Sequence, residues 1–152
     1  MKNLLLIIFV LLLSVRAFAQ QTDRDAIKQT VNTMFDAMRK SDSAMPRSTF
    51  AKGIVFQTVA NEKDGSVVLE TDNPDEFIKA VGTPHNGVWD ELISITDIKI
   101  DGELASVWAP YKFYLDDKFS HCGVDVFQLM KTGGGWKIIY VVDTRRKDNC
   151  PK

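Results

Sequence analysis

The 152-residue chain carries only two histidines and two cysteines, has no surplus of positive charge, and contains a single long apolar run. Each shortage excludes a class of function. His85 and His121 stand far apart without a cluster of acids nearby, so no metal-ligand spacing of the usual kind is present and no metal is expected. A net charge of −1 gives no phosphate-neutralising surface, so nucleic acid is not an expected partner. The one glycine cluster, "TGGGW" at Thr132 to Trp136, joins two strand-like segments and opens no helix, which excludes a phosphate cradle of the nucleotide-binding kind. No serine sits in a nucleophile elbow. Nothing in the chain implies a redox or nucleotide cofactor, and none is expected.

The apolar run lies at the start. Lys2 precedes ten unbroken apolar residues from Leu4 to Leu13, and "AFA" follows. A membrane span needs about 20 apolar residues. Ala17 and Ala19 occupy the small-residue positions for cleavage before Gln20, so residues 1–19 read as a secretory signal peptide and residues 20–152 as a single domain. The expected location is the periplasm of a Gram-negative bacterium or the medium beyond it, with no membrane attachment after cleavage. No cysteine follows the cleavage site, so no lipid anchor is expected there. Cleavage removes Lys2 and Arg16 and no acid, leaving 17 basic and 20 acidic side chains and a net charge of −3. The short run Arg145 to Lys147 reads as a solvated strand end.

Export changes the meaning of the cysteine count. An even number of cysteines in an oxidising compartment predicts a bridge between Cys122 and Cys150. In the chain-entropy view, closing that loop is worth roughly 3–4 kcal/mol. Two buried free thiols, or a reactive Cys122, are the alternatives. Adjacency to His121 does not argue for catalysis, because neighbours on a strand point to opposite faces.

From Thr22 to Asp42 the apolar residues Ile27, Val31, Met34, Phe35 and Met38 recur at helical spacing, with Thr22 and Asp25 resembling a capping box at the start. "SAMPRSTF" predicts a second short helix entered at Ser43. The period then shortens. "GIVFQTVA" and "SVVLET" predict a short hairpin turning at Asp64-Gly65. Asn73, Pro74, Gly82 and Pro84 bracket a third helix. Four strand-like segments follow: "ELISITDIKI", "LASVWAPYKFYL", "SHCGVDVFQLMK" and "WKIIYVVDTRR". Pro110 interrupts the second of them, which implies a bulge or an edge. Helices set before an antiparallel sheet define an α+β fold. The expectation is a curved antiparallel sheet of four long strands plus a short hairpin, wrapped around the N-terminal helices as a cone with a central pocket.

This order of elements resembles the nuclear-transport-factor-2-like superfamily with its cystatin-like cone. The resemblance covers nearly all of residues 22–146. It is closest to small exported bacterial members of the lumazine-binding and polyketide-cyclase-like (SnoaL-like) kind, whose final hairpin has the shape seen here as "HCGVDVFQLMK" followed by "GWKIIYVVDTRR". The resemblance implies a cone-shaped cavity between sheet and first helix. It does not imply one activity, because the fold hosts enzymes, binding modules and assembly domains alike.

The candidate chemistry sits on the third long strand. His121 and Asp125 face the same side, ~13 Å apart along it. Asp125 with Tyr111 or Tyr114 supplies the carboxylate and phenol that an acid–base isomerase needs in an apolar pocket. The plain alternative is an ordinary polar face with Asp125 paired to Lys112 or Lys137. The register decides the neighbours. A two-residue turn at Asp116 to Lys118 sets Tyr114 opposite His121 and Trp108 opposite Phe127; a three-residue turn brings Phe113 and Tyr111 there instead. Asp143 reads first as a salt-bridge partner of Arg145 or Arg146, and otherwise as an orienter of His121. His85 reads as a surface-loop residue, and Trp136 as a packing anchor of the sheet. The leading expectation is a non-catalytic module that binds a small apolar or aromatic molecule, its walls formed by Trp108, Tyr111, Phe113, His121, Asp125 and Phe127. The alternatives are a small isomerase or cyclase using Asp125 or His121, and a homodimerisation domain that pairs through the outer sheet face.

Overall fold

The structure, a computed structural model, describes residues 2–83 and 87–151, with side chains from residue 20 onward. His85 and Pro84 therefore lie outside the described residues, as do the side chains on which the signal-peptide expectation rests. Helix α1 (Lys2–Lys40) runs without interruption through Thr22, so the helix does not begin at that residue. The stretch "AFAQQT" holds no glycine or proline to stop it. Ile27, Val31, Met34, Phe35 and Met38 are all buried, as their spacing predicts. Among the described residues no helix is long and apolar enough to cross a membrane.

A short helix α2 (Ala44–Thr49) follows. Its capping acceptor is Asp42 rather than Ser43: Asp42 Oδ1 accepts from the Ala44 N–H at 2.8 Å. Strands β1 (Phe50–Asn61) and β2 (Val67–Asp72) form the first hairpin, in which β1, with 12 residues, is longer than the expected short segment. Helix α3 (Pro74–Gly82) starts where Asn73 accepts from the Asp75 N–H. Then come β3 (Trp89–Ile93), β4 (Asp97–Asp101), β5 (Leu104–Leu115), β6 (Lys118–Thr132) and β7 (Gly135–Thr144).

These seven strands make one curved, unclosed sheet in the order β2-β1-β7-β6-β5-β3, with β4 also on β5. The sheet is mixed, not wholly antiparallel, because β1 lies parallel to β7. Parallel neighbours need a long return path, and here everything from β2 to β6 supplies it. The segment expected as one strand, "ELISITDIKI", is two. Residues Ser94 to Thr96 break it where it passes Pro110, which offers a carbonyl to Ser94 N–H but has no N–H to return.

Along most of β5 and β6 the register is the one expected of a three-residue turn, with Phe113 opposite His121, although the turn itself is shorter. Leu115 pairs with Lys118, so the turn itself is two residues long, with Asp116 at φ 53°. A bulge between Phe113 and Tyr114 on the opposing strand then shifts the pairing by one, leaving Ser120 as the extra residue. His121 therefore faces Phe113, Gly123 faces Tyr111, and Phe127 faces Val107. The inward-pointing residues of β6 are buried beneath α1, where Phe127 meets Phe35 edge to face at 6.0 Å.

Beyond β7 the chain folds back over β6. Cys122 and Arg146 exchange backbone hydrogen bonds, and Cys122 is joined to Cys150 by a disulfide. At the other end of β7, Trp136 is buried and its Nε1 donates to Asp23 of α1 at 3.1 Å. Lys131 also binds Asp23, and that hydrogen bond holds the carboxyl below its ordinary range.

Candidate functional site

Between α1, α3 and the concave side of the sheet lies a hollow of about 510 Å³. The helices contribute Met34, Met38, Phe77 and Ala80, all uncharged. Phe77 belongs to a cluster of edge-to-face and tilted rings with Phe50 and Phe56. The sheet supplies both apolar and polar groups, and strand pairing explains which meet. One row across the sheet reads Glu91, Phe113, His121; the next reads Ile93, Tyr111, Gly123; a third reads Ala109, Asp125, Asp143, Thr58.

Of the residues expected from sequence, Tyr111, Phe113, His121 and Asp125 line this hollow. Trp108 and Phe127 do not, which corrects the expected wall. Trp108 is 50% exposed on the outer face, because the bulge leaves odd-numbered residues of β5 pointing inward. Phe127 points inward but is completely covered by the core around Phe35. Asp125 is not paired with Lys112 or Lys137; it is buried beside acids. Residues that sequence reasoning did not single out, Glu91 and Thr58, complete the polar end, together with Arg145, which pairs with Asp143 as expected but also lines the hollow.

The third row places Asp125 directly opposite Asp143, and like charges in that position repel. The structure resolves the conflict asymmetrically. Asp143 is surrounded by donors: Thr58 Oγ1 donates to its Oδ1, Arg145 Nε donates to its Oδ2 at 2.8 Å, and the Tyr111 hydroxyl lies 3.3 Å from Oδ2. Asp125 has no such company. Its Oδ2 is buried and receives no hydrogen bond from a conventional donor among the described residues. Its hydrogen-bonding neighbour is the carboxyl of Glu91. Two carboxylates cannot bond, since each only accepts, so the pair must hold a proton. Burial, then the charge of Glu91, pushes Asp125 well above the usual carboxylate range. Burial pushes Glu91 up to about 7, against the hydrogen bond from Asp125. The pair thus shares a proton, and Glu91 is poised to gain or lose one near neutral pH.

Tyr111 is buried, and its hydroxyl donates to the Thr144 carbonyl at 3.0 Å. Burial and the surrounding acids push it up, so it stays a phenol. Gly123 makes this reach possible: a Cβ there would stand 1.7 Å from the Thr144 oxygen and 2.7 Å from the Tyr111 ring. His121 stacks at a tilt on Phe113 and edge-on to Tyr111, with Nδ1 3.0 Å from Ser120 Oγ. Burial, then the charge of Arg145, pushes it down, so it is neutral at pH 7. Among the described residues no three histidine, cysteine or acidic side chains are grouped to hold a metal ion.

Residues 22–142 match the family described as "Putative lumazine-binding". No curated protein matches the sequence. Solved structures match over most of their length. One is a nuclear-transport-factor-2-like protein of unknown function from Shewanella baltica, 18% identical, with 84% of this chain and 96% of that chain covered and a TM-score of 0.62. A cystatin-like domain of unknown function from Nostoc punctiforme is 17% identical over 84% of this chain and 80% of that one, at a TM-score of 0.64. A nuclear-transport-factor-2-like protein with a cystatin-like fold from Novosphingobium aromaticivorans reaches 0.67 at 8% identity, covering 86% of each chain. Likeness at such identities shows the fold alone. With the family match spanning most of the sequence, the chain belongs to the family described as "Putative lumazine-binding", and it shares the cystatin-like fold of these nuclear-transport-factor-2-like structures.

Proposed function

We propose that the chain is an exported binding domain that holds a small, largely apolar or aromatic molecule in the hollow between its sheet and α1. One observation carries the reading: a hollow of about 510 Å³ has apolar walls over most of its extent and a few polar groups converging at one end. That combination is the usual form of a small-molecule site. The family description, which refers to lumazine binding, is of the same kind. The contacts proposed for the ligand are Tyr111, Phe113, His121 and Asp125, joined by Trp89 and Glu91. Export rests on the leader-like residues 1–19 and agrees with the disulfide.

Native mass spectrometry of protein purified from its own periplasm tests this. A retained small molecule is expected in the natural chain and not in Ala80→Phe, which fills the hollow from α3. An empty chain that also fails to take up any aromatic probe would overturn the reading.

A second reading has its own support. Glu91, with its carboxyl near 7, hydrogen-bonds a buried acid beside the neutral phenol of Tyr111, and a base poised at neutral pH suits proton transfer in an isomerase or cyclase. If the ligand is turned over, Glu91→Gln should lower kcat while ligand is still bound. Dimerisation through the outer sheet face is supported by the exposure of Trp108, Leu104 and Met130 there. Scattering or size exclusion of the natural chain and Trp108→Lys tests it.

A further inference from the structure

The polar end of the hollow is short of positive charge. Asp72 from β2, Glu91 from β3, Asp125 from β6 and Asp143 from β7 all face it. Arg145 is the one cation among the described residues that line it. Its Nε donates to Asp143 at 2.8 Å and its Nη2 lies 3.9 Å from Asp72, so its charge is committed to those two. Thr58 satisfies Asp143 further. His121 is neutral, the Tyr111 hydroxyl is directed at Thr144, and α1 and α3 bring no charge. Among the described residues no cation forms an ion pair with Glu91 or Asp125, and the charge of Arg145, the smallest influence on each, offsets their burial only in part. Asp125, 5% exposed, lines the hollow and has a buried oxygen, Oδ2, that no conventional donor among the described residues reaches.

We propose that the ligand of this hollow is an organic ammonium, its apolar or aromatic body against Met34, Phe77, Trp89 and Phe113 and its nitrogen seated between Glu91 and Asp125. The inference rests on the binding reading above and names the class of ligand. An ammonium carries three donors and no acceptor. It therefore supplies what Asp125 Oδ2 lacks and balances the charge of Glu91 through charge-assisted hydrogen bonds. An anionic ligand would meet a surplus of acids instead.

The proton that the acid pair shares makes the binding pH-dependent. Below about pH 7 Glu91 is protonated, and taking up the ammonium sends that proton to solvent. Well above pH 7 Glu91 is already charged and no proton is released. Affinity for the ammonium thus rises as pH rises through this window, until the amine itself loses its charge near pH ~10.

Three matched probes test the inference on the mature chain with its disulfide intact: 2-(1-naphthyl)ethylamine, the corresponding alcohol, and 3-(1-naphthyl)propanoate. Calorimetry near pH 8.5 should show the amine binding about tenfold or more tighter than the alcohol, and the acid weakest. Near pH 5.5 the amine's advantage should shrink several-fold, with proton release visible from the buffer dependence of the heat around pH 6. Glu91→Gln should bring the amine-to-alcohol ratio toward unity. Should that variant not fold, Asp125→Asn must do the same. An alcohol or acid that binds as well as the amine overturns the ammonium assignment and leaves the binding reading standing. Failure of all three probes to bind at any of these pH values overturns both.

Discussion

At the scale of single residues, the acid pair and Gly123 carry the sharpest consequences. A carboxyl whose folded-state pKa is raised stabilises the fold most at low pH. For Glu91 that contribution is complete below about pH 4 and is lost as pH rises to about 7. Glu91→Gln, which cannot ionise at that position, should flatten this dependence. Relative to the variant, the natural chain is expected to lose about 1–2 kcal/mol of unfolding free energy between about pH 4.5 and 7.5, read from urea melts at a series of pH values. A natural chain as insensitive as the variant would show that burial does not raise Glu91. Gly123→Ala forces a methyl into the Thr144 carbonyl, so a loss of at least about 2 kcal/mol is expected. Displacement of Tyr111 should accompany it, visible as a changed phenol signal. Asp125 was legible in the sequence because it breaks an apolar alternation on β6. Glu91 breaks one too, standing between Trp89 and Ile93 on the same face. It was not singled out because its partner lies 34 residues away, and only the pairing of β3 with β5 and β5 with β6 brings the two together.

At the scale of elements, the apolar stripe of α1 and the strand alternations could be read directly, since burial of one face is what imposes those periods. The sheet's inward face on β5 could not. A one-residue bulge at Ser120 decides whether Trp108 or Phe113 faces in, and nothing in "DDKFSH" marks where the extra residue falls. The same bulge brings Ser120 and His121 together on the hollow. The break between β3 and β4 was hidden for a different reason: Pro110, which causes it, lies on the neighbouring strand. Two substitutions separate the element interfaces. Phe127→Ala, which empties the contact between β6 and α1, should cost about 3–5 kcal/mol by chemical denaturation. Trp136→Phe keeps most of the packing of β7 on α1 but removes the donor to Asp23 and should cost about 1 kcal/mol. If the two cost the same, the core is not centred where Phe35 meets Phe127.

At the scale of the whole molecule, the order of helices and strands was enough to give the α+β cone. The parallel contact of β1 with β7 was not, because an apolar segment does not name its partner. The disulfide closes the architecture from the outside: it ties the tail after β7 to the start of β6, next to the rim where Arg145 stands. Reducing it should lower the stability of the natural chain by roughly 3–4 kcal/mol, and Cys150→Ser should match the reduced protein. Melts with and without reductant check this. A wider consequence concerns provenance. Protein made recombinantly in a reducing cytosol would carry Arg145 on an untethered tail, leaving Asp143 and its neighbours less firmly posed. A batch made there and one harvested from beyond the inner membrane would differ only by hydrogens on sulfur, yet they should be handled as distinct reagents in any screen for what the cone carries.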